Sequence, residues 1–407
     1  MGLTDFNWRS PKQLQNLFYK VLQYKPIRKR NAQGRFAPTV NREALEKLKQ
    51  NYWAEPICNH LLVLRELDKK RQFLETELDP DGRIRCNFNI AGTKTGRLAS
   101  SMSDFGTGTN IQNVDKRLRT TFIADPGMKF ANLDLEQADA RNVGAICWNL
   151  FAGTRGPEFA GAYLDACESG DLHTYVCRMA WTDLPWTGDN EKDRKIADQI
   201  CYRDLSYRDM AKKLGHGTNY LGTPRTMAMH TKVKQSVIEE FQLRYFKAFP
   251  CIKAWHKSIR DSIKNGGQLT TLMNRRRFFF GRHNDDAVLR EATAYEPQSL
   301  TADEIDRGML NIWREHRVQL LVQVHDSILF QFPEKDEAII LPWALKKLVC
   351  EIPLRHDRLF TVPTDGKVGW NWGDYDYEKP EANPDGLKDW AGGDTRSRHD
   401  DPLRKFL

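Results

Sequence analysis

No apolar run in these 407 residues approaches the ~18 positions that a membrane-spanning helix needs, so no helical span and no membrane partner is expected. The opening residues, Met1 to Trp8, lack the basic-then-apolar pattern of an export signal. Eight cysteines are present (Cys58, Cys86, Cys147, Cys167, Cys177, Cys201, Cys251 and Cys350), yet no pair stands at Cys-x-x-Cys spacing. A zinc site or a disulfide framework is therefore not expected, and the thiols read as free and mostly buried in a reducing cytoplasm. No internal repeat is visible. Charge is not scarce: 62 Lys and Arg against 54 Asp and Glu leave +8, a weak pointer to a polyanionic partner.

The length allows two or three domains with their own cores. Residues 1–80 read as mainly helical, with Ser10-Pro11 as a helix start, a basic loop at 25–35 and a longer helical stretch from about Asn41 to Leu78. Asp81-Gly82 signals a turn, and β-like pieces follow at Arg83–Phe88 and Phe130–Leu135. Helical patterning returns over 147–265, with breaks near 184–188 and 222–224. A hairpin is expected at Gly266–Phe280, one long helix over 288–315, and two strands within Val318–Phe332 around a tight turn at His325-Asp326-Ser327. The stretch 378–407 is poor in apolar residues and reads as a mobile tail.

Asp134 and Asp326 each lie at or just after a short apolar strand. If the two strands share a sheet, the carboxylates could bracket a pair of divalent cations, since magnesium prefers hard oxygen ligands and completes its shell with water and phosphates. Either residue alone is more ordinarily a turn former. Arg208, Lys212, His216 and Tyr220 stand four apart, which makes a drifting stripe of roughly 18 Å on one helix face. Cations at one end and rings at the other suit a nucleoside triphosphate; the plainer reading is a solvated cationic face ending in a core tyrosine. Gly215 and Gly217 interrupt that helical pattern. Thr95–Ser101 and Asn110–Asn113 form a polar stretch whose amides suit minor-groove acceptors, and the basic loop at 25–35 suits phosphates or simply water.

In order along the chain these pieces resemble family A DNA polymerases, the bacterial polymerase I-like class, over about residues 7 to 373. Asn7-Trp8-Arg9-Ser10-Pro11-Lys12-Gln13-Leu14 is similar to that family's thumb segment, and Thr95–Ser101 with Asn110–Asn113 to its primer-and-template stretch. Asp134-Leu135-Glu136-Gln137-Ala138-Asp139-Ala140-Arg141 resembles motif A, Arg208-x3-Lys212-x3-His216-Gly217-x2-Tyr220 motif B, and Gln323-Val324-His325-Asp326-Ser327 motif C. The resemblance implies an α+β right-hand polymerase fold with an antiparallel-sheet palm. Its parts would be a partial thumb (1–92), palm (93–147 and 290–377), fingers (148–289) and the tail. It implies a DNA-templated DNA polymerase in which Asp134 and Asp326 bind two Mg2+ ions. Arg208 and Lys212, assisted by His173, would hold the triphosphate of a deoxynucleotide. His216, Tyr220, Gln137 and Asp139 would complete the nucleotide site. Arg97, Gln112, Asn113, Arg290, Gln298 and His325 would contact primer–template DNA.

Five positions depart from the family pattern, Leu135 and Glu136 of motif A among them. Asp139 stands for the usual glutamate at the sugar gate, His216 for the motif B aromatic, and Ser327 for the glutamate after the motif C aspartate; such variants suggest bacteriophage members, and so a host cytoplasm. No exonuclease carboxylate pattern precedes the motifs, and the first long thumb helix is missing from the pattern, so a separate N-terminal exonuclease/thumb polypeptide is an expected partner. Two other readings stay open: an inactive DNA-binding fragment of a split polymerase, and a single-subunit RNA polymerase, against which Gln137, Asp139 and Thr95-Gly96-Arg97-Leu98 argue.

Overall fold

The computed structural model describes residues 6–30, 35–202 and 205–390. The chain divides into two compact units, one of residues 1–85 with 102–109, the other of 86–101 with 110–407.

In the first unit the short helix α1 (Pro11–Gln15) starts at Ser10, whose side chain accepts from the Gln13 amide, and runs on into a π turn at Asn16–Val21. Strands β1 (Arg28–Arg30) and β2 (Phe36–Pro38) form an antiparallel pair where an irregular basic loop was expected; residues 31–34 of that loop lie outside the described residues. The single helical stretch expected from Asn41 to Leu78 is two helices, α2 (Arg42–Leu48) and α3 (Glu55–Leu74). The break has local causes. The Asn51 amide folds back to donate to Leu48 O at 3.0 Å, and a proline in the first turn of α3 restarts the helix. Leu14, Phe18, Leu45, Leu48, Cys58 and Leu61 form its core.

In the second unit a short pair, β3 (Cys86–Asn89) and β4 (Ala99–Met102), leads to β5 (Met128–Leu135). Seven helices lead to α11: α4 (Ala138–Arg155), α5 (Pro157–Glu168), α6 (Leu172–Ala180), α7 (Asn190–Ala197), then, after β6 (Ile200–Tyr202) and β7 (Leu205–Ser206), α8 (Tyr207–Asn219), α9 (Pro224–Thr231) and α10 (Gln235–Ala248). Helix α11 (Pro250–Gly266) feeds the hairpin β8 (Gln268–Thr270) and β9 (Arg276–Phe278), and α12 (Asp286–Trp313) is the long helix, continuous through Pro297. Strands β10 (Gln319–Val324) and β11 (Ser327–Pro333), helix α13 (Glu337–Leu348), the pair β12 (Ile352–Pro353) and β13 (Leu359–Phe360), and strands β14 (Thr364–Gly369) and β15 (Lys388–Asp389) complete it.

The main sheet has the order β10-β11-β5-β14-β15, all neighbours antiparallel. Alternation decides its two faces. Ala131, Leu133 and Leu135 of β5 join Ile328, Phe330 and Phe332 of β11 in a core closed by α4, α12 and α13. The half-buried Asn132 and Asp134 alternate with them and face the other way. A second core, with Tyr163, Tyr245, Phe249 and Trp255, gathers α4, α5, α6, α8, α10 and α11. Helix α8 runs unbroken through Gly215 and Gly217; a Cβ on Gly217 would stand 2.8 Å from Met227 Cε, so this glycine serves close packing instead of interrupting the helix.

All eight cysteines are free thiols and six are buried. Among the described residues no helix is long and apolar enough to cross a membrane. The mobile tail expected from residue 378 is not what the described part shows. Lys388 and Asp389 pair with Val368 and Lys367, Leu387 is buried, and the Trp390 amide donates to Gly366 O at 2.9 Å. Backbone pairing supplies what the apolar-poor composition did not advertise; residues 391–407 lie outside the described residues.

Candidate active site

Strands β5 and β11 are neighbours, and their register sets Ser327 opposite Asp134. Asp326 stands one residue earlier, in a turn that His325 enters with a left-handed φ of 57°, and the Leu135 amide donates to Asp326 O at 3.0 Å. Two carboxylates remote in sequence are thus fixed at one end of one sheet. On the other side of β5, Asp365 of β14 is the register partner of Asp134, a third carboxylate that the motif reading did not single out. Burial raises the pKa of Asp134, and Asp326 and Asp365 raise it further, while Lys367 and Lys116 pull it down. Asp326 is raised as well, by burial first and also by Asp139. Carboxylates that resist ionising beside one another form a site whose negative charge a cation relieves.

Among the described residues no three His, Cys, Asp or Glu side chains gather at metal-binding spacing. Asp134 and Asp326 are hard oxygen donors at the end of neighbouring strands, a set that suits an ion which takes one or two carboxylates and fills its remaining positions with water and phosphate.

Asp139 lies in the first turn of α4, just after Gln137, which adopts a left-handed φ of 52° at the N-cap. Its carboxylate draws four elements together. Tyr220 at the end of α8 donates its hydroxyl at 3.1 Å, Arg97 reaches it at 3.4 Å, and the Thr301 hydroxyl of α12 lies 2.9 Å away. Thr301 Oγ1 is also 3.0 Å from Pro297 O. One proton cannot serve both, and the charged carboxylate is the stronger acceptor. Behind Thr301 the buried Asn142 amide donates to Thr301 Oγ1 at 3.0 Å and to Glu304 Oε2 at 2.8 Å. Burial pushes Glu304 up to about 8, with Asp139 and Asp303 adding to the rise. Tyr220 is also held well above its ordinary value, by burial and by Asp139.

On α8, the His216 ring lies 4.7 Å from the Tyr220 ring. One to two turns earlier Arg208 is already engaged, its Nε donating to Asp171 at 2.8 Å, and Arg194 of α7 reaches the same carboxylate at 3.1 Å. Asp171 also caps α6, accepting from the His173 amide at 3.1 Å and the Thr174 hydroxyl at 2.7 Å. Burial works against this carboxylate, but the bonds and charges of Arg208 and Arg194 hold it down at about 2. His173 is pushed down to about 4 by burial, and Arg208, Lys212 and Arg194 contribute, so the imidazole is neutral beside these cations.

Gln112 ties the polar loop to the sheet. Its Nε2 donates to Gln323 O and Gln323 Oε1, both at 3.0 Å, and its Oε1 accepts from the Ser100 amide at 2.9 Å. Gln323 Nε2 in turn donates to His325 O. The expected residues Asp134, Asp326, Asp139, Arg97, Tyr220, His216, Gln112 and His325 thus form one connected region, with Arg208, Lys212 and His173 further along α8 and α6. Gln137 donates to the adjacent Glu136 at 3.3 Å. Asn113 and Arg290 are exposed and Gln298 half-buried, and none of the three joins these bonds. Arg194, Asn142, Thr301, Glu304 and Asp365 escaped the sequence reading, and Asp171 figured in it only as part of the Asp171-Leu172-His173 stretch, with no role of its own. Only Thr301 carried a signal, one helical turn after Gln298 on α12.

The sequence matches DNA polymerase family A over residues 1–374. It is 25% identical over 399 residues to DNA polymerase I of Treponema pallidum (strain Nichols), covering 91% of this chain and 35% of that protein. To the thermostable DNA polymerase I of Thermus aquaticus it is 26% identical over 386 residues, covering 89% and 41%. The chain thus spans well under half the length of these relatives. The POL domain of Pol1 from M. smegmatis, solved in complex with DNA primer-template and dNTP, superposes with a TM-score of 0.68 at 22% identity over 90% of this chain and 61% of that one. The fold is accordingly the α+β right-hand polymerase fold, and the chain belongs to DNA polymerase family A.

Proposed function

We propose that the chain is a DNA-templated DNA polymerase that adds deoxynucleotides to a primer 3′-hydroxyl. The observation that carries this reading is the β5–β11 register, which sets Asp134 and Asp326 side by side within reach of the Asp139–Arg97–Tyr220 cluster. Asp134 and Asp326 would hold two magnesium ions, which when bound supply charge for the attacking and leaving oxygens of an in-line displacement. Arg208 and Lys212 bind the triphosphate, with Asp171 fixing the guanidinium and neutral His173 offering a hydrogen bond without adding charge. Asp139, oriented by Tyr220 and Thr301, meets the sugar and sets the preference for deoxynucleotides. His216 packs on the sugar, and Gln137 lines the nucleotide site. Arg97, Gln112, Asn113, Arg290, Gln298 and His325 contact primer–template DNA. Residues 1–92 act as a partial thumb, 148–289 as fingers, and 93–147 with 290–377 as palm. The chain acts on primer–template DNA and deoxynucleotides in the cytoplasm, that of a bacterial host for a bacteriophage enzyme.

The test is extension of a labelled primer on a DNA template with magnesium and deoxynucleotides, with Asp326→Ala beside the parent. Templated extension by the parent and its loss by at least 10³-fold in the variant is the expected result. Primer–template binding without extension by either protein overturns the reading in favour of a binding subunit. Preferential extension with ribonucleotides overturns it in favour of an RNA polymerase.

A further inference from the structure

The hairpin between α11 and α12 carries a face that the cluster above does not use. In β9, Arg277 and the following Phe279 turn inward. Phe279 is buried against Tyr295 with ring centroids 5.9 Å apart, and the Arg277 guanidinium lies 4.4 Å from the Phe279 ring and bonds Glu291 at 2.5 Å. Their alternates Arg276, Phe278 and Phe280 turn outward. Phe278 is 56% exposed and Phe280 94%, and their rings stack at 24° with centroids 6.3 Å apart.

The outer face of a half-buried strand is ordinarily polar, so two neighbouring aromatic rings held in water call for a partner. Charge says which kind. From residue 262 to 284 the sequence has Lys264, Arg275, Arg276, Arg277 and Arg282 and no Asp or Glu. Arg275 is bound to Asp303 and Arg277 to Glu291, while Arg276, which alternates with Arg277 as Phe278 does, and Arg282, two residues after Phe280, are exposed. Asp285 and Asp286 follow at the start of α12, where Asp285 accepts from the Ala287 amide as a helix cap. Flat rings flanked by cations match a chain of bases on a phosphate backbone. The hairpin is also tied to the polar stretch that includes Arg97. Lys94 bonds the same Glu291 oxygen at 2.8 Å, and Arg275 lies so close to Gly96 that a Cβ there would stand 2.5 Å from its guanidinium carbon.

We propose that the outer face of β9, formed by Arg276, Phe278 and Phe280, is a stacking platform for single-stranded nucleic acid. It receives unpaired template outside the region where Asp134 and Asp326 stand. The platform is separable from the proposed chemistry, because a strand can bind there whether or not the carboxylates catalyse extension.

The test is fluorescence-anisotropy titration of the full chain with three labelled probes: oligo-dT, a primer–template with a long 5′ overhang, and the same duplex made blunt. The variants are Phe280→Ala, the double variant Phe278→Ala with Phe280→Ala, and Phe280→Trp, all at exposed positions. Phe280→Ala should weaken the overhang probe and oligo-dT about tenfold, the double variant further, and Phe280→Trp should restore binding, with the blunt duplex unchanged in every case. Equal loss on blunt and overhang probes, or no loss on either, overturns the proposal. Unchanged DNA binding accompanied by loss of self-association in sedimentation overturns it too, and assigns the face to a second copy of the chain.

Discussion

Replacing Glu304 with glutamine should make the protein more stable, and increasingly so as pH rises. Glu304 is 1% exposed, and its pKa stands at about 8 instead of the ordinary 4.5, mainly because burial penalises the carboxylate. Between those values the folded chain keeps a proton that the unfolded chain has released. The unfolded state binds fewer protons, so stability falls as pH rises from 4.5 toward 8. At ~1.4 kcal/mol per pKa unit, this one group removes about 3 kcal/mol between pH 5 and pH 8. The glutamine is neutral throughout and its side-chain carbonyl still accepts the Asn142 amide, so it carries no such dependence. Urea unfolding of parent and Glu304→Gln at pH 5 and pH 8 should give similar midpoints at the lower pH and a clear excess for the variant at the higher. Parallel pH dependence in the two proteins would refute the reasoning, since it would mean that Glu304 titrates alike in the folded and unfolded chain.

Other substitutions probe the neighbouring contacts. Thr301→Val deletes the hydroxyl that orients Asp139 and should lower the ratio of deoxy- to ribonucleotide kcat/KM about fivefold, the equivalent of one ordinary hydrogen bond; Thr301→Ser should keep the ratio. Asp171→Asn should cost about 2 kcal/mol near neutral pH, a contribution that the parent loses as pH falls from the ordinary carboxylate range toward 2. It should also raise the KM for deoxynucleotides, because Arg208 loses its anchor. Gly108→Ala places a Cβ 1.9 Å from Arg85 O at a φ of +73° and should destabilise the first unit by about 3 kcal/mol, read as an earlier transition in thermal unfolding.

Much of the architecture was legible because its causes are local. Short apolar runs over Phe130–Leu135 and on both sides of the turn His325-Asp326-Ser327 pointed to strands, and the four-residue spacing from Arg208 to Tyr220 pointed to one helix face. Departures arose where a local signal was ambiguous. The Asn51 turn and Pro56 divided one expected helix into two, and α8 proved continuous through Gly215 and Gly217, the latter a close-packing position against Met227. The polar stretch after residue 378 was misread because β15 is held by backbone pairing, to which side-chain polarity gives no clue.

The sequence by itself determined the motif residues, their order and the elements that carry them, since hydrophobic period and turn chemistry act over a few residues. Only the tertiary structure decided that Asp134 has Ser327 on one side and Asp365 on the other, that Asp171 holds both Arg208 and Arg194, and that a buried chain runs from Glu304 through Asn142 and Thr301 to Asp139. Those facts depend on strand register and helix packing between segments remote in sequence. Register follows from which faces are buried together and packing from which side chains interlock, and neither leaves a pattern in any one stretch of the chain.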